Sequence, residues 1–283
     1  MLHQANLYYT NSTKKLNKIM SVSIDKKVEA AAKRLREASA KGVTCEPIRN
    51  LIGTEDIAKA YQIQAINTAL KIAGGARAIG YKIGLTSPTI QKQLGIDQPD
   101  FGVLWNDTEI NNGGSISMSE LMQPKAEAEI AFVLKKDLTS NHLSSIDIMS
   151  AIDYALPSIE IVGSRIKGWD IKITDTIADN ASASHWVVGH TPVKLSDFDV
   201  LNCKMIMKNK RKVVSKGIGS NCLGSPINAT LWLAQKMVEL GTPMKAGDLI
   251  LTGAVGPMVA AKKGDKFSAS IEGLGEVSLE FTA

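Results

Sequence analysis

Cysteine is scarce in this 283-residue chain and is arranged for neither bridges nor zinc. Cys45, Cys203 and Cys222 are odd in number and far apart, with no CxxC pair and no Cys/His pattern, which points to reduced thiols. No apolar run approaches the ~20 residues that a membrane-spanning helix needs. The N-terminus also lacks the continuous apolar stretch of a secretory signal. There is no GxSxG and no P-loop, and Gly217-Ile218-Gly219 falls short of the GxGxxG that a dinucleotide fingerprint requires. Acidic residues are missing from positions 1–20 altogether. Residues 1–36 hold eight Lys/Arg against two Asp/Glu, whereas the other 247 residues hold 25 against 26. The net charge of +5 therefore belongs to the N-terminus, and the body carries no footprint for nucleic acid.

What is present is ordinary globular composition, 44% hydrophobic and 22% charged. We expect a disordered extension over 1–20, with Met20 as the natural start. A single unit over 21–283 follows, helical to about residue 100 and β-rich from 101. Val28, Ala31, Ala32 and Leu35 recur at helical spacing and predict a helix over 24–38. A second is predicted over 56–72, with Thr54 as N-cap and Gly74-Gly75 as the stop. Residues 78–85 then read as a strand carrying Lys82.

Beyond residue 100 the texture changes to short strands between Gly, Asn and Pro turns. Strands are expected at 127–134, 157–163, 185–189, 203–208, 212–215, 248–252 and in pieces across 266–281, with a hairpin turn at Asn209-Lys210. Helices are expected over 144–155 and 229–240, the second with Leu231, Ala234 and Val238 as its apolar face. Strands and helices do not alternate regularly, so the expected fold is α+β, with N-terminal helices packed on a rolled or barrel-like β body.

Chemistry is concentrated in acidic residues. Period two on a strand puts the carboxylates of Glu127 and Glu129 on one face, where like charges need compensation. Glu160 sits in a second apolar run, in which a lone carboxylate is costly to bury. Two readings fit. The three hold a hard divalent cation, Mg2+ or Mn2+, with positions open for substrate. Alternatively, Glu127 and Glu129 are solvated and Glu160 meets Arg165. The apolar context of Glu160 favours the cation.

Lys82, among apolar residues flanked by Gly80 and Gly84, either points into a cleft or snorkels to solvent. Residues 98–102 read as a turn-rich loop whose Asp100 makes an Asx turn or serves a site. Residues 175–182 form a polar stretch whose small side chains either shape a pocket wall or cap a helix. The strand over 249–253 opens at Thr252-Gly253 into a Gly-rich loop, where a backbone amide could meet a carboxylate. Of the four histidines, His185 and His190 fall near these segments and are read as structural.

These segments together resemble the hydratase/decarboxylase subgroup of the fumarylacetoacetate hydrolase superfamily. The residues carrying the likeness are Tyr81 to Thr86, the 98–102 loop, Glu127-Ala128-Glu129, Glu160 to Arg165, Asp179 to Ser182, and Leu251-Thr252-Gly253. It runs in one register from about residue 24 to the C-terminus, and the His/Glu pair of the hydrolase branch is not found. The resemblance implies a mixed β-roll and Mg2+ or Mn2+ on Glu127, Glu129 and Glu160. It implies catalytic roles for Lys82, Asp100 and Ser182, and substrate contacts for Leu85, Asp179 and Thr252. The implied reaction is hydration of 2-hydroxypenta-2,4-dienoate in a meta-cleavage pathway. The rivals are decarboxylation of 4-oxalocrotonate, hydration of 2-oxohept-4-ene-1,7-dioate, and a non-catalytic binding or scaffold protein. A cytoplasmic homo-oligomer, pentamer or decamer, is implied too, with possible association with the pathway's downstream aldolase.

Overall fold

A computed structural model describes residues 25–87, 91, 96 and 98–283. The expected extension over 1–20 and the first residue of the 24–38 helix lie outside the described residues.

The helical part is built from α1 (Lys26–Lys41), α2 (Arg49–Ile52) and α3 (Ile57–Ala73). Asp25 caps α1 by accepting from the Lys27 amide at 2.8 Å, and Gly42, at φ 63°, ends it. The buried stripe is Val28, Ala31, Ala32, Leu35 and Ala38, so the apolar spacing in the sequence is the packing face. Asp56, rather than Thr54, caps α3, its carboxylate accepting from the Lys59 amide at 3.0 Å. A carboxylate one residue before the helix reaches the third-residue amide and complements the helix dipole.

Two sheets form the body. The larger has the order β2-β1-β9-β4-β5-β6, with β10 paired to β4; the smaller has the order β3-β12-β11-β7-β8. In the larger, β1 is Ala78–Gly84, β2 Asp100–Trp105, β4 Lys125–Leu134, β5 Ile152–Val162, β6 Ala183–Val188, β9 Leu249–Ala254 and β10 Val259–Ala260. In the smaller, β3 is Ser115–Ser117, β7 Lys204–Asn209, β8 Lys212–Ile218, β11 Lys266–Ile271 and β12 Gly275–Thr282. One apolar core joins them, from Ile130, Phe132 and Ile159 to Phe267 and Phe281, whose rings meet edge-on at 5.7 Å. Two further helices, α4 (Ser145–Ala151) and α6 (Pro226–Glu239), flank this body. The α+β architecture is that expected from the sequence.

Some boundaries differ for local reasons. The helix expected over 144–155 stops at Ala151, and β5 begins at Ile152, ahead of Pro157. Pro157 lacks a donor but sits inside β5, its carbonyl accepting from the Gly189 amide at 2.8 Å. The β7–β8 turn is Lys210-Arg211, one residue later than expected, with Lys210 at φ 56°. On α6 the buried face runs through Ile227, Thr230, Leu233, Ala234 and Met237, leaving Leu231 and Val238 on its flanks. Three strands, β2, β3 and β10, were not anticipated; residues 100–102, read as loop, are the start of β2.

A further helix, α5 (Ile173–Ala178), connects the layers. Gln64 of α3 donates from Nε2 to the carbonyls of Phe101 on β2 and Ile177 on α5, at 2.8 and 2.9 Å. Arg49 grips Asp175 at 2.6 Å, so the start of α5 is held by α2. Among the described residues no helix is long and apolar enough to cross a membrane.

Candidate metal centre and active site

The long β4–β5 pairing sets the site. Its register places Glu127 directly opposite Glu160, and Glu129 opposite Ser158. Cross-strand neighbours on one face have Cβ atoms about 5 Å apart. One carboxylate oxygen each from Glu127, Glu129 and Glu160 lies within 4.8 Å of the others. All three side chains are buried. Glu129 Oε2 accepts the Gly253 amide at 2.9 Å, whereas Glu129 Oε1 and both oxygens of Glu160 accept no well-formed hydrogen bond.

Burial raises the pKa of all three; Glu160 is pushed up to about 7, with Lys82 opposing and Glu127 adding to the rise. Converging, desolvated carboxylates with orphaned oxygens are what a hard divalent cation satisfies, so the residues fit a Mg2+- or Mn2+-type ion. The alternative of solvated glutamates does not hold. Arg165 turns to Asp179 instead of Glu160.

Lys82 projects from β1 and is buried, at 3% exposure. It does not snorkel. Its Nζ donates to the Ala181 carbonyl at 3.0 Å and lies 3.2 Å from Glu160 Oε2. Burial disfavours the ammonium, but Glu160, Asp100, Glu127 and Glu129 outweigh it and hold the pKa above that of an ordinary lysine. Lys82 is thus a fixed positive charge.

Asp100 opens β2 and pairs with Gly84 across the β1–β2 ladder. Thr176 Oγ1 donates to its Oδ2 at 3.1 Å, and its Oδ1 accepts no hydrogen bond. A Cβ on Gly84 would lie 2.2 Å from Asp100 Oδ1 and 3.2 Å from Lys82 Nζ. The glycine therefore makes room for both groups. Gly84→Ala is expected to displace Asp100 and lower kcat by about 10²-fold, the cost of a misplacement near 1 Å, with little change in melting temperature. Steady-state kinetics beside a thermal melt check this.

The stretch at 179–182 does more than line a wall. Asn180, Ala181 and Ser182 have φ values of 55°, 50° and 57°, three successive non-glycine residues in the left-handed region. Each costs about 1–2 kcal/mol, so the surroundings must over-determine the turn. Arg165 donates from its amide and Nε to the Asp179 carboxylate and from Nη1 to the Ala183 carbonyl. Asn180 makes a reciprocal pair with the Val103 backbone at 2.8 and 3.0 Å. Gly102 lets Asn180 lie against β2, since a Cβ there would be 2.2 Å from its carbonyl oxygen. The turn delivers the Ala181 carbonyl to Lys82 and sets Ser182 Oγ 3.3 Å from Thr176 Oγ1.

Two of the expected substrate contacts are otherwise engaged. The Asp179 carboxylate is taken by Arg165. The Thr252 hydroxyl donates to the Ile130 carbonyl at 2.8 Å, and it is the next residue's amide, Gly253, that reaches the acidic cluster. Leu85, at φ 57°, ends β1 and accepts from Gln91 Nε2 through its carbonyl. Thr176 had no role in the sequence reading, although it lies in the polar stretch singled out there. His185 contacts Ser184 Oγ through Nδ1 at 2.9 Å. It lines a groove of about 730 Å³ that includes Arg165, Asp179 and Asn180 but neither Lys82 nor any of the four carboxylates around it.

Strands and site define the class: a β-roll protein with three buried, converging carboxylates beside a buried lysine. The chain belongs to the fumarylacetoacetate hydrolase family. The family model for the fumarylacetoacetate (FAA) hydrolase C-terminal region matches residues 81–282. 2-Keto-4-pentenoate hydratase 1 of Dechloromonas aromatica (strain RCB) is 51% identical over 253 residues, 89% of this chain and 96% of that protein. The TodF product hydratase of Pseudomonas putida (strain F1) is 50% identical over 254 residues, 90% of this chain and 95% of that one. Among solved structures, 4-oxalocrotonate decarboxylase from Pseudomonas putida G7, complexed with magnesium and adipate, superposes with a TM-score of 0.87 at 31% identity. That match covers 90% of this chain and 97% of the decarboxylase.

Proposed function

We propose that the chain is a metal-dependent hydro-lyase that converts 2-hydroxypenta-2,4-dienoate into 4-hydroxy-2-oxopentanoate in the meta-cleavage breakdown of aromatic compounds. The observation that carries this reading is the Glu127, Glu129 and Glu160 cluster closed by the Lys82 ammonium, in a chain half identical to proteins named as 2-keto-4-pentenoate hydratases. Glu127, Glu129 and Glu160 would hold Mg2+ or Mn2+, which supplies Lewis-acid stabilisation of negative charge on the substrate's 2-oxygen.

Lys82 stabilises the same developing charge. An ammonium has three donors; one serves Ala181 and one faces Glu160, leaving a third for a substrate oxygen. The 2-hydroxyl loses its proton and C5 gains one, giving the 2-oxo-3-enoate. Water then adds at C4 and C3 is protonated. Asp100 is the group that takes and returns protons, and Ser182 positions substrate or water. Transfers of this kind contribute about 10²–10⁴-fold. The 4-oxalocrotonate decarboxylase likeness keeps loss of CO2 as the second reading. A homo-oligomeric state, pentamer or decamer, association with the downstream aldolase and a cytoplasmic location belong to the same proposal. So does a single catalytic unit over 21–283.

Chelator-treated protein should be inactive and should regain activity with Mg2+ or Mn2+. Assayed side by side, 2-hydroxypentadienoate should lose its diene absorbance while 4-oxalocrotonate releases no CO2. Full turnover after chelation would remove the metal, and CO2 release would replace hydration by decarboxylation.

A further inference from the structure

We propose that Thr176 completes a proton relay running from Ser182 through Thr176 to Asp100, in which Ser182 meets the substrate and Asp100 is the buried store of the proton. The inference rests on the hydratase reading above and gives its proton transfers a route.

The argument is one of donor accounting. A carboxylate only accepts, and a hydroxyl has one proton to give. Thr176 Oγ1 gives its proton to Asp100 Oδ2 at 3.1 Å, so toward Ser182 Oγ, at 3.3 Å, it can only accept. Ser182 must therefore be the donor of that pair, and its lone pairs are left to receive a proton from outside the chain of three. When the substrate hydroxyl gives up its proton, the O–H bond of the substrate breaks and a new one forms on Ser182 Oγ. The proton already on Ser182 passes to Thr176 Oγ1, and that on Thr176 passes to Asp100 Oδ2. Three O–H bonds break and three form; the substrate is left as the anion and Asp100 as the neutral acid. Reversal returns a proton from Asp100, through the same atoms, to a substrate carbon.

Three observations set this trio apart from ordinary polar packing. A helical threonine commonly returns its hydroxyl to the carbonyl three or four residues back. Thr176 instead directs it across to Asp100 at the start of β2. Asp100, Thr176 and Ser182 are 1%, 5% and 4% exposed, so bulk water does not compete for the hydrogen bonds. The left-handed turn that aims Ser182 is fastened from both sides, by the Gly163 amide to the Ser182 carbonyl at 2.8 Å and by Lys82 to the Ala181 carbonyl. Burial raises the pKa of Asp100 against the pull of Lys82 and Thr176, which brings the protonated store within reach.

The test compares Thr176→Val, which keeps shape and removes the hydroxyl, with Thr176→Ser, which restores it; Thr176→Ala serves if valine does not fold. In Mg2+-saturated enzyme, T176V should lose about 10²-fold in kcat, with KM and Mn2+ affinity within about threefold of wild type. It should also lose exchange of the C3 hydrogens of 4-hydroxy-2-oxopentanoate with D2O, followed by NMR. T176S should recover both. Turnover and exchange by T176V at the wild-type level would remove the relay alone, as would a T176S as impaired as T176V, which would mark a packing role. A wild-type enzyme that turns over no 2-hydroxydienoate would remove the hydratase reading and the relay with it.

Discussion

Lys82→Met lowers the kcat of the metal-saturated enzyme by about 10²–10³-fold, the usual worth of one preorganised donor at a developing oxyanion, and tightens divalent-ion binding. The two effects have one cause. Lys82 is the positive charge among Glu160, Asp100, Glu127 and Glu129. Methionine fills a similar volume, so packing is kept while that charge goes. A cation entering the site then meets undiminished carboxylate charge. Without metal the same carboxylates face one another with no counter-charge, and breaking a buried pair costs about 3–5 kcal/mol. The metal-free variant should therefore melt well below wild type, and added Mg2+ should restore more stability to it than to wild type. Kinetics at saturating metal, with melts in chelator and in Mg2+, separate the roles. A variant that loses equal stability in both melts and keeps its kcat within about threefold makes Lys82 a structural residue.

The same contacts show what could be read from residues alone. Alternation along β4 is local, so Glu127 and Glu129 on one face followed from the period of a strand. That Glu160 lies opposite Glu127 is a matter of register between segments 33 residues apart, which no local pattern encodes. Its apolar neighbours signalled only that the carboxylate needed a partner, and either a cation or Arg165 would serve. Asp179 outcompetes for Arg165 because the 179–182 turn folds back against β2.

That turn was the least legible part. Asn180, Ala181 and Ser182 carry no glycine, and non-glycine residues in succession at positive φ are disfavoured by every local rule. Only the long-range grip of Arg165, Val103 and Lys82 explains it, and Thr176 escaped notice because its partner Asp100 is reached only through that tertiary arrangement. Thr252 shows the opposite case. The strand was placed correctly, but its hydroxyl and the Gly253 amide one residue on point to different partners.

Glu129→Gln should abolish turnover, by about 10³-fold or more, and weaken Mg2+ binding by at least about 10²-fold, while making the metal-free protein more stable. Glutamine keeps an oxygen for the Gly253 amide, so no buried donor is orphaned. It removes a charge that Glu160 and Glu127 repel and offers an N–H where Glu129 Oε1 has no partner. The gain in stability should depend on pH, and its sign follows from the direction of the shifts. Burial pushes Glu160 from an ordinary 4.5 up to about 7. Between those values the folded metal-free chain holds a proton that the unfolded chain has released, so folding is favoured as pH falls through that window and loses support as pH rises through it. Glu127 and Glu129 are shifted in the same direction. Wild type in chelator should therefore melt lower at pH 8 than at pH 6, and E129Q should narrow that gap by removing one of the like charges. The metal runs the other way. Its ligands bind deprotonated, so the apparent Mg2+ affinity of wild type should rise with pH, about tenfold per unit for each proton displaced, through the Glu160 value of about 7, and level off once Glu127 and Glu129, shifted in the same direction, have also ionised. Calorimetric titration of Mg2+ across pH 5.5–8.5 reads this directly. An affinity flat over that range would mean that the three carboxylates are ionised before the ion arrives, and that Lys82 and the Gly253 amide offset their repulsion without a bound proton.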